Sequence, residues 1–454
     1  LVKAIADSER SVVAIARVNR NAPDRGVELA PNFFPRVRPP ADLPQPGDLD
    51  FIPNEYATGV VVGDGLILTA NHVLREDSDY WITTADRKVY RATQVVGADP
   101  RSDLAVLHVP ASELVPIKFG DATKLKKGQI VIALGNPFSI ARDGQASASW
   151  GIVANLLRKD APSISERDAA RVPLKPTLHQ YGTLIHTDAK LNLGTSGGAL
   201  VNLKGEMVGL TVALAASLGY EQSAGFAIPV DDTFLRALKT LKQGREVEFG
   251  FLGVSPRRLT PDETARGKHG VLVTRVVEGT PADRAELLPQ DLITHVDGQE
   301  IHEPDDLMLG IGKLPPDGSV RLIVERAGRP IVITVHELSK YYVKGRKIAT
   351  NPPPAWRGIH VDYVTASAEF QERADQHRID PHGCVLITEV DRDSPAWNQG
   401  LRPHMLITHV AGHSVATPKQ FRDEVALKNG PVRLRLSLTS GEQRSERTIP
   451  AEGG

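Results

Sequence analysis

Short apolar runs separated by glycine-containing turns recur along the first half of the chain. The run TGVVVGDGLILTA places two β-rich arms around Asp64-Gly65, a dipeptide suited to the positive φ angles of a tight hairpin turn. The run ALVNLKGEMVGLTVAL repeats this arrangement around Lys204-Gly205. Between Asp231 and Gly244 the apolar residues instead recur at helical spacing, with an aspartate to cap the first turn and a glycine to end the last. The pattern predicts a mostly β domain that closes with one helix.

The second half contains an internal repeat, which fixes the number of domains. HGVLVTRVVEGTPADRAELLPQDLITHV begins at His269, HGCVLITEVDRDSPAWNQGLRPHMLITHV begins at His382, and the shared LITHV occupies residues 292–296 and 406–410. The connecting segment is basic and then proline-rich, a composition expected of a semi-rigid linker. We therefore predict a first domain at 1–245, a module at 246–340, a linker at 341–356 and a second module at 357–454.

One stretch of the first domain shows no period. Residues 19–56 include eight prolines, so we predict a long loop. Phe33, Phe34 and Phe51 lie in this stretch and leave two interpretations open: a loop that docks on another surface, or a disordered insertion.

Charge and composition exclude several classes of function. The 454 residues include 54 Lys and Arg against 55 Asp and Glu, so no global positive field would attract nucleic acid. The most apolar stretch, at 207–220, is shorter than the roughly 20 residues that a membrane-spanning helix needs. The single cysteine, Cys384, excludes an intrachain disulfide framework. We therefore expect a globular chain with no nucleic-acid partner, no transmembrane segment and no targeting segment of its own.

Three motifs of the first domain carry chemistry when they are taken together. TANHV contains His72, DPRSDLAVL contains Asp103 and NLGTSGGAL contains Ser196, and each adjoins a strand-like run. Alone, a GTSGG sequence is more often a glycine-rich turn, and a lone histidine beside an apolar strand is usually structural. In this order they predict a catalytic triad, in which Ser196 is the nucleophile, His72 the general base and Asp103 the carboxylate that orients the imidazole.

The turn around the serine also supplies donors for a tetrahedral intermediate. Glycine gives the backbone the freedom to aim the N–H groups of Gly194 and Ser196 at one point, so we predict the oxyanion hole there. No G-x-x-x-x-G-K-[ST] and no H-E-x-x-H sequence is present, and His179 and His186 have no third ligand nearby. We therefore expect no nucleotide, no metal and no other cofactor.

These motifs resemble those of the chymotrypsin-like serine peptidases, whose triad has the same order along the chain, and more narrowly those of the HtrA/Deg family. GDGLILTANHV, DPRSDLAVL, IVIALGNPF, GIVANLL, TDAKLNLGTSGGALVN and GFAIP follow the family's order, and the two repeats resemble PDZ domains. The resemblance implies a mostly β fold. A chymotrypsin-like double β-barrel protease domain, with the active site between the barrels, would be followed by two small α+β PDZ domains.

The resemblance also implies residues that read peptides. FLGV and RGIH match the loop with which PDZ domains grip a peptide carboxylate, and the matching residues are Phe251, Leu252, Gly253, Val254, Arg357, Gly358, Ile359 and His360. Leu191 matches a position that lines the first specificity pocket, which implies a preference for small or medium aliphatic side chains. The adjacent Lys190 leaves two interpretations open: an ammonium turned into the pocket, which would favour acidic side chains, or one that points to solvent.

For function, the resemblance implies ATP-independent cleavage of unfolded or misfolded proteins, as part of protein quality control in the stress response. The PDZ modules would bind exposed C-termini or extended segments and regulate cleavage. A periplasmic or secreted location and trimer-based homo-oligomers are expected on the same ground. Loops at 155–182 and 214–224 match places where the family couples PDZ occupancy to the active site.

The sequence departs from the family pattern around the nucleophile. Leu193, Thr195 and Ala199 stand where the family often has Pro, Asn and Pro. Because Thr195 is β-branched, it stiffens the turn that would form the oxyanion hole. One alternative is therefore a resting state in which the hole is not formed. Two alternatives to a protease stay open. One is a latent or inactive protease domain that serves as a peptide-binding scaffold or holdase chaperone, and the other is an esterase or other acyl hydrolase on the same triad.

Overall fold

The computed structural model describes most of the chain in two compact units. The described residues are 1–20, 27–29, 35–37, 55–136, 144–159, 177–212, 225–373, 380, 383–437 and 445–451. Unit 1 comprises Leu1–Val247 and Lys344–Pro352, and unit 2 comprises Glu248–Val343 and Pro353–Gly454. Most of the proline-rich stretch at 19–56, the loop at 214–224 and much of the loop at 155–182 lie outside the described residues.

The elements follow one another along the chain in three groups. The first group is α1 (Val2–Ser8), β1 (Val12–Asn19), β2 (Val27–Leu29), β3 (Pro35–Val37), β4 (Glu55–Gly63), β5 (Leu66–Ala70), β6 (Ser78–Thr83), β7 (Val89–Arg91), β8 (Gln94–Asp99), β9 (Leu104–His108), β10 (Ile130–Gly135), β11 (Ser147–Arg158), β12 (Leu184–Thr187), β13 (Ala199–Val201), β14 (Met207–Val212), β15 (Gly225–Pro229) and α2 (Asp232–Lys242). The second group is β16 (Gly250–Phe251), β17 (Val254–Arg258), α3 (Pro261–Ala265), β18 (Val271–Val276), α4 (Pro281–Arg284), β19 (Leu292–Val296), β20 (Gln299–Glu300), α5 (Pro304–Gly312), β21 (Val320–Arg326), β22 (Arg329–Val335), β23 (Ser339–Lys340) and β24 (Ile348–Ala349). The third group is β25 (Ile359–Tyr363), α6 (Ala368–Arg373), β26 (Val385–Val390), α7 (Pro395–Asn398), β27 (Leu406–Val410), β28 (His413–Ser414), α8 (Pro418–Ala426), β29 (Val432–Ser437) and β30 (Ser445–Ile449). Short 3-10 turns lie at Glu9–Ser11, Asn71–Val73, Ala122–Lys124, Leu178–Tyr181 and Val364–Ala366.

The described residues of unit 1 form two large antiparallel β structures and a two-stranded sheet of β2 and β3. Eight strands form a sheet in the order β24-β8-β9-β5-β4-β1-β6-β7, and six strands close into a barrel in the order β10-β11-β12-β15-β14-β13. The two predicted hairpins are confirmed: β4 pairs with β5 across Gly65, and β13 pairs with β14 across Gly205, where φ is +65° and +73°. Both glycines therefore adopt the left-handed conformation that a tight hairpin turn requires.

The helix predicted after residue 230 is also confirmed and packs on unit 1. Asp231 Oδ1 accepts a hydrogen bond from Phe234 N at 2.9 Å, which caps the first turn of α2. The apolar face of the helix is buried, and a Cβ on Gly97 of β8 would lie 3.0 Å from Leu241 Cδ2. Glycine at position 97 therefore allows the helix to lie close to the sheet.

Part of the predicted linker belongs to unit 1. Strand β24 pairs with β8 in the register Ile348↔Ala98, and Thr350 Oγ1 donates to Val96 O at 2.8 Å. The prolines that suggested a connector lie just beyond this strand. The edge strand β8 therefore gains a hydrogen-bonded partner from a segment that is distant in sequence.

Unit 2 contains two modules with the same topology. The strand order is β17-β18-β19-β21-β22 in one and β25-β26-β27-β29-β30 in the other, and a short strand, β20 or β28, pairs with the third strand of each order. The repeated LITHV forms β19 and β27. Each module has its own buried apolar core, to which α5 or α8 contributes. The internal repeat in the sequence is therefore a repeat of structure.

The two modules of unit 2 also share a smaller apolar cluster. Its buried members are Val277, Val364, Phe370, Cys384, Leu386 and Leu406, and Phe251 packs against them. A polar contact also joins the two modules, since Lys340 Nζ lies 2.8 Å from Asp362 Oδ2. Burial raises the pKa of the Cys384 thiol to about 12, so this cysteine acts as a small apolar residue.

Candidate active site

His72 and Asp103 face each other across adjacent strands of the first sheet. Ala70 at the end of β5 pairs with Leu104 at the start of β9, so the residues that flank this pair meet. His72 Nδ1 lies 2.7 Å from Asp103 Oδ2, and His72 N donates to Asp103 Oδ1 at 2.8 Å. Because a carboxylate only accepts, Nδ1 carries the proton in the neutral ring and Nε2 is the basic nitrogen. The pair therefore has the tautomer that a general base requires.

Ser196 reaches the same region on a turn that precedes β13 of the barrel. Its carbonyl O accepts from Thr58 N on β4 at 2.9 Å. Gly197 has φ of +85°, and a Cβ there would collide with Thr58 O and lie 3.2 Å from the backbone N of Ala70. The turn thus packs directly against β5, two residues before His72. The structure pairs His72 with Asp103 and places the Ser196 turn beside the end of β5 that precedes His72.

The predicted oxyanion donors lie on the same turn. Gly194 has φ of +94°, in the left-handed region that favours glycine. Its carbonyl O accepts from Thr58 Oγ1 at 2.6 Å, and Thr58 Oγ1 in turn accepts from Asn136 N at 2.9 Å. Thr58 is fully buried. Sequence reasoning missed this threonine because its only signal is one polar residue before the apolar run of β4.

The loop that carries Asp103 is held by a second set of buried polar contacts. Asp103 has φ of +54°, which is unusual for a residue other than glycine. Beside it, Ser102 N and Oγ donate to Asp99 Oδ2 at 2.8 and 2.5 Å. Burial raises the pKa of the Asp99 carboxyl to about 6. Hydrogen bonds within the loop therefore support the strained backbone at Asp103.

His179 links this loop to the barrel side of the site. The histidine is 7% exposed, and its Nε2 lies 2.9 Å from Ser102 O while Nδ1 lies 2.7 Å from Thr183 Oγ1. A carbonyl only accepts, so Nε2 donates to Ser102 and Nδ1 accepts from the threonine. Sequence analysis considered His179 only as a possible metal ligand and found no third ligand near it. Nothing in its local pattern predicts the contact, since 77 residues separate it from Ser102.

The candidate specificity residues differ in exposure. Leu191 is half-buried and packs against the apolar core of the barrel, and a Cβ on Gly225 would lie 2.9 Å from Leu191 Cδ1. Lys190 is exposed, and its carbonyl O accepts from Ser149 Oγ at 2.9 Å. The leucine thus borders the barrel interior, whereas the lysine side chain lies at the surface.

The FLGV loop of the first module connects β16 to β17. Leu252 O accepts from Ala282 N and Gly253 O accepts from Val277 N, both at 2.9 Å. Gly253 has φ of +97°, and a Cβ there would collide with the Thr280 side chain. Strand β17, which begins at Val254, is the outermost strand of its sheet and has α5 packed beside it. An outermost strand presents backbone groups to which an extended peptide can pair.

The RGIH loop of the second module has a tighter backbone. Arg357 and Gly358 have φ of +51° and +84°. They form a turn closed in both directions, because Trp356 N donates to Ile359 O at 3.0 Å and Ile359 N donates to Trp356 O at 2.9 Å. His360 Nε2 lies 3.0 Å from Asp391 Oδ1. One backbone donor of the predicted carboxylate loop, the Ile359 N–H, is therefore already engaged.

The Arg357 side chain holds the same loop in place through hydrogen bonds to backbone carbonyl groups. Its guanidinium is buried, lies 4.6 Å from the ring centre of Trp356, and donates to backbone carbonyl groups. The four acceptors, at 2.8 to 2.9 Å, are the carbonyl oxygens of Lys428, Gly430, Ile449 and Pro450. These bonds tie the loop to the end of α8 and to the last strand of the module.

Two further features bear on function. Within the described residues, no group of three or more His, Cys, Asp or Glu side chains is placed to hold a metal ion. In the same part of the chain, no helix has the length and apolar character needed to cross a membrane.

The sequence matches known protein families and known proteins. A family model for the trypsin-like peptidase domain matches residues 57–210, and one for the PDZ domain matches residues 250–336. A probable periplasmic serine endoprotease, DegP-like, of Chlamydia pneumoniae is 31% identical over 366 residues, which cover 79% of this chain and 69% of the relative. A protein of the same description from Pseudomonas fluorescens is 29% identical over 415 residues, which cover 89% and 81%.

Solved structures give the same result. The HtrA-type protease AlgW with decapeptide is 26% identical and has a TM-score of 0.53, covering 78% of this chain and 99% of its own. AlgW with tripeptide is 25% identical, with a TM-score of 0.55. The fold and the matched domains define a trypsin-like serine endopeptidase that carries a PDZ domain. The chain belongs to the DegP-like family of HtrA-type serine endoproteases.

The link between His179 and the aspartate loop can be tested by His179→Phe, which keeps a ring and removes both nitrogens. We expect a lower kcat and a free energy of unfolding lower by about 1–3 kcal/mol, because two buried polar groups lose their partners. Urea unfolding and peptide hydrolysis measure the two effects. His186→Phe is the matched control, since that histidine stacks on Phe226 at 5.5 Å. Equal effects of the two substitutions would contradict the link.

Proposed function

We propose that this endopeptidase cleaves unfolded polypeptides without ATP, with Ser196 as nucleophile, His72 as general base and then acid, and Asp103 as the orienting carboxylate. The observation that carries the proposal is the pair of hydrogen bonds from His72 to Asp103, at 2.7 and 2.8 Å, beside the turn that bears Ser196. In this mechanism the serine Oγ attacks the scissile carbonyl carbon, its proton passes to His72 Nε2, and the same proton later reaches the leaving amine.

The N–H groups of Gly194 and Ser196 are proposed to stabilise the oxyanion of the tetrahedral intermediate. Such donors act on charge that develops only in the transition state, and loss of one typically costs about 10²–10³ in kcat. Leu191 is proposed to line the first specificity pocket and to favour small or medium aliphatic side chains. Its half-buried position against the barrel core supports this assignment, and the exposure of Lys190 favours the interpretation in which the ammonium points to solvent.

We further propose that both modules of unit 2 are PDZ domains that bind exposed C-termini or extended segments and regulate cleavage. The shared strand order of the modules supports this proposal for the second one. We assign the main carboxylate-binding role to the FLGV loop, because in the RGIH loop the Ile359 N–H already donates within its own turn. By analogy with relatives described as periplasmic, we propose a periplasmic or secreted location. On the same ground we propose that the protein forms trimer-based homo-oligomers.

Digestion of casein without ATP tests the protease. We expect the wild type to produce fragments and Ser196→Ala to produce none, because the substitution removes the nucleophile with little change in packing. Mass spectrometry of the fragments gives the residue before each cut, and aliphatic residues are expected there. Cleavage by Ser196→Ala would overturn the assignment of the nucleophile. If neither protein cleaves even with added C-terminal peptides, the scaffold or holdase function replaces the protease.

Gly253→Val tests the carboxylate-binding role of the first module. The substitution places a side chain where φ is +97° and where a Cβ would collide with Thr280, so we expect it to distort the FLGV loop. The probe is a pool of decapeptides with an apolar last residue, prepared with free or amidated C-termini. Wild type should retain the free-carboxylate pool at least about tenfold better than Gly253→Val. Equal retention by both proteins, or equal retention of the amidated pool, would contradict the role.

A further inference from the structure

Three buried threonines hold the turn that carries Ser196. Thr58 comes from β4 of the sheet, Thr211 comes from β14 of the barrel, and Thr195 belongs to the turn itself. Their exposed fractions are 0%, 0% and 5%. We call these three residues the threonine clamp. The members of the clamp therefore hold the turn from the sheet, from the barrel and from within the turn itself.

The Thr195 hydroxyl closes the turn. Thr195 Oγ1 donates to Asn192 O at 2.7 Å, and Thr195 N donates to the same oxygen at 3.1 Å. A carbonyl oxygen has two lone pairs, so it can accept both bonds. The side chain also packs on Gly135, where a Cβ would lie 3.2 Å from Thr195 Cγ2. The β-branched residue therefore holds the turn by a hydrogen bond as well as by its restricted rotamers.

The other two threonines bind backbone carbonyl groups of Gly194 and Thr195, which lie further along the turn. Thr58 Oγ1 donates to Gly194 O at 2.6 Å, and Thr211 Oγ1 donates to Thr195 O at 2.6 Å. A carbonyl oxygen that turned toward the substrate oxyanion would repel the developing negative charge. Because the carbonyls of Asn192, Gly194 and Thr195 are all bound by threonine groups, they are kept from that position.

We propose that Thr195 is a positioning residue for the oxyanion hole, and that its hydroxyl holds Asn192 O so that the N–H groups of Gly194 and Ser196 face the substrate oxyanion. The inference rests on the proposed function, in which these two N–H groups form the hole. Thr195 does not touch the substrate and acts through the backbone of the turn. Thr195, which departs from the family pattern, would thus hold the proposed oxyanion hole through its own hydroxyl.

Thr195→Val tests the hydroxyl, because valine keeps the branched shape. We expect kcat on a peptide substrate to fall about 10- to 100-fold and KM to stay within about twofold, since the hole acts only in the transition state. Thr195→Ser keeps the hydroxyl and should retain most of kcat. Thr240→Val is the matched control: it removes a threonine hydroxyl that donates to Arg236 O at 2.9 Å in α2, and it should leave kcat at the wild-type value.

A peptide aldehyde distinguishes the hole from the substrate-binding subsites. Ser196 Oγ adds to the aldehyde carbon, the serine proton passes to His72, and the carbonyl electron pair moves to oxygen, which then lies in the hole. The matching peptide alcohol binds the same subsites without this addition. We expect Thr195→Val to weaken aldehyde inhibition in parallel with kcat and to leave alcohol inhibition unchanged. Thermal unfolding of each variant shows whether it is folded.

The outcomes separate the two proposals. If wild type binds the aldehyde no more tightly than the alcohol, the proposed nucleophile and hole are wrong. If wild type shows the preference but Thr195→Val keeps both that preference and kcat, the role of the threonine alone is wrong. It is also wrong if Thr195→Ser loses as much kcat as Thr195→Val. Should Thr195→Val fail to fold, Thr195→Ala against Thr195→Ser provides the same comparison at Asn192 O.

Discussion

The proposed catalytic arrangement depends on hydrogen bonds that cross from the sheet to the turn that carries Ser196. Thr58 makes two of them, from its N–H to Ser196 O at 2.9 Å and from its hydroxyl to Gly194 O at 2.6 Å. The proposed base His72 and its partner Asp103 lie at the ends of sheet strands, whereas the proposed nucleophile Ser196 lies on a turn before the barrel strand β13. The proposed site therefore needs both β structures. A shift of about 1 Å between catalytic groups can cost on the order of 10²-fold in rate. These crossing bonds therefore set the precision of the whole site.

The two modules of unit 2 are joined by shared apolar packing. Phe251, the first residue of the FLGV loop, lies 6.1 Å from Phe370 between ring centres, and it packs on an apolar cluster built mainly by the second module. Between the modules, Tyr363 also donates to Asp317 and Lys340 pairs with Asp362. A ligand that moves the FLGV loop must therefore also rearrange packed apolar side chains. The FLGV loop of the first module therefore shares packed apolar contacts with the second module.

The parts of the fold and site that sequence could predict are those with a local signature. The hairpins at Gly65 and Gly205, the helix capped by Asp231 and the internal repeat all follow from short patterns. Of the three motif residues, the structure shows His72 paired with Asp103, and the triad with Ser196 stays a prediction. Thr58 and His179 could not be predicted this way. Their partners lie 136 and 77 residues away, and a single buried threonine or histidine has no distinctive spacing. The return of β24 to the first sheet escaped prediction because its proline-rich neighbourhood indicates a connector.

The most direct test of this account is covalent labelling with a fluorophosphonate probe, followed by peptide mapping. The serine Oγ attacks phosphorus and fluoride leaves, so the label marks the activated nucleophile. We expect the label on Ser196 alone in the wild type, and at least about 10³-fold slower labelling in Asp103→Asn, because the imidazole then takes the wrong tautomer. A label on a different residue, or labelling of Ser196 at the same rate without the Asp103 carboxylate, would contradict the triad.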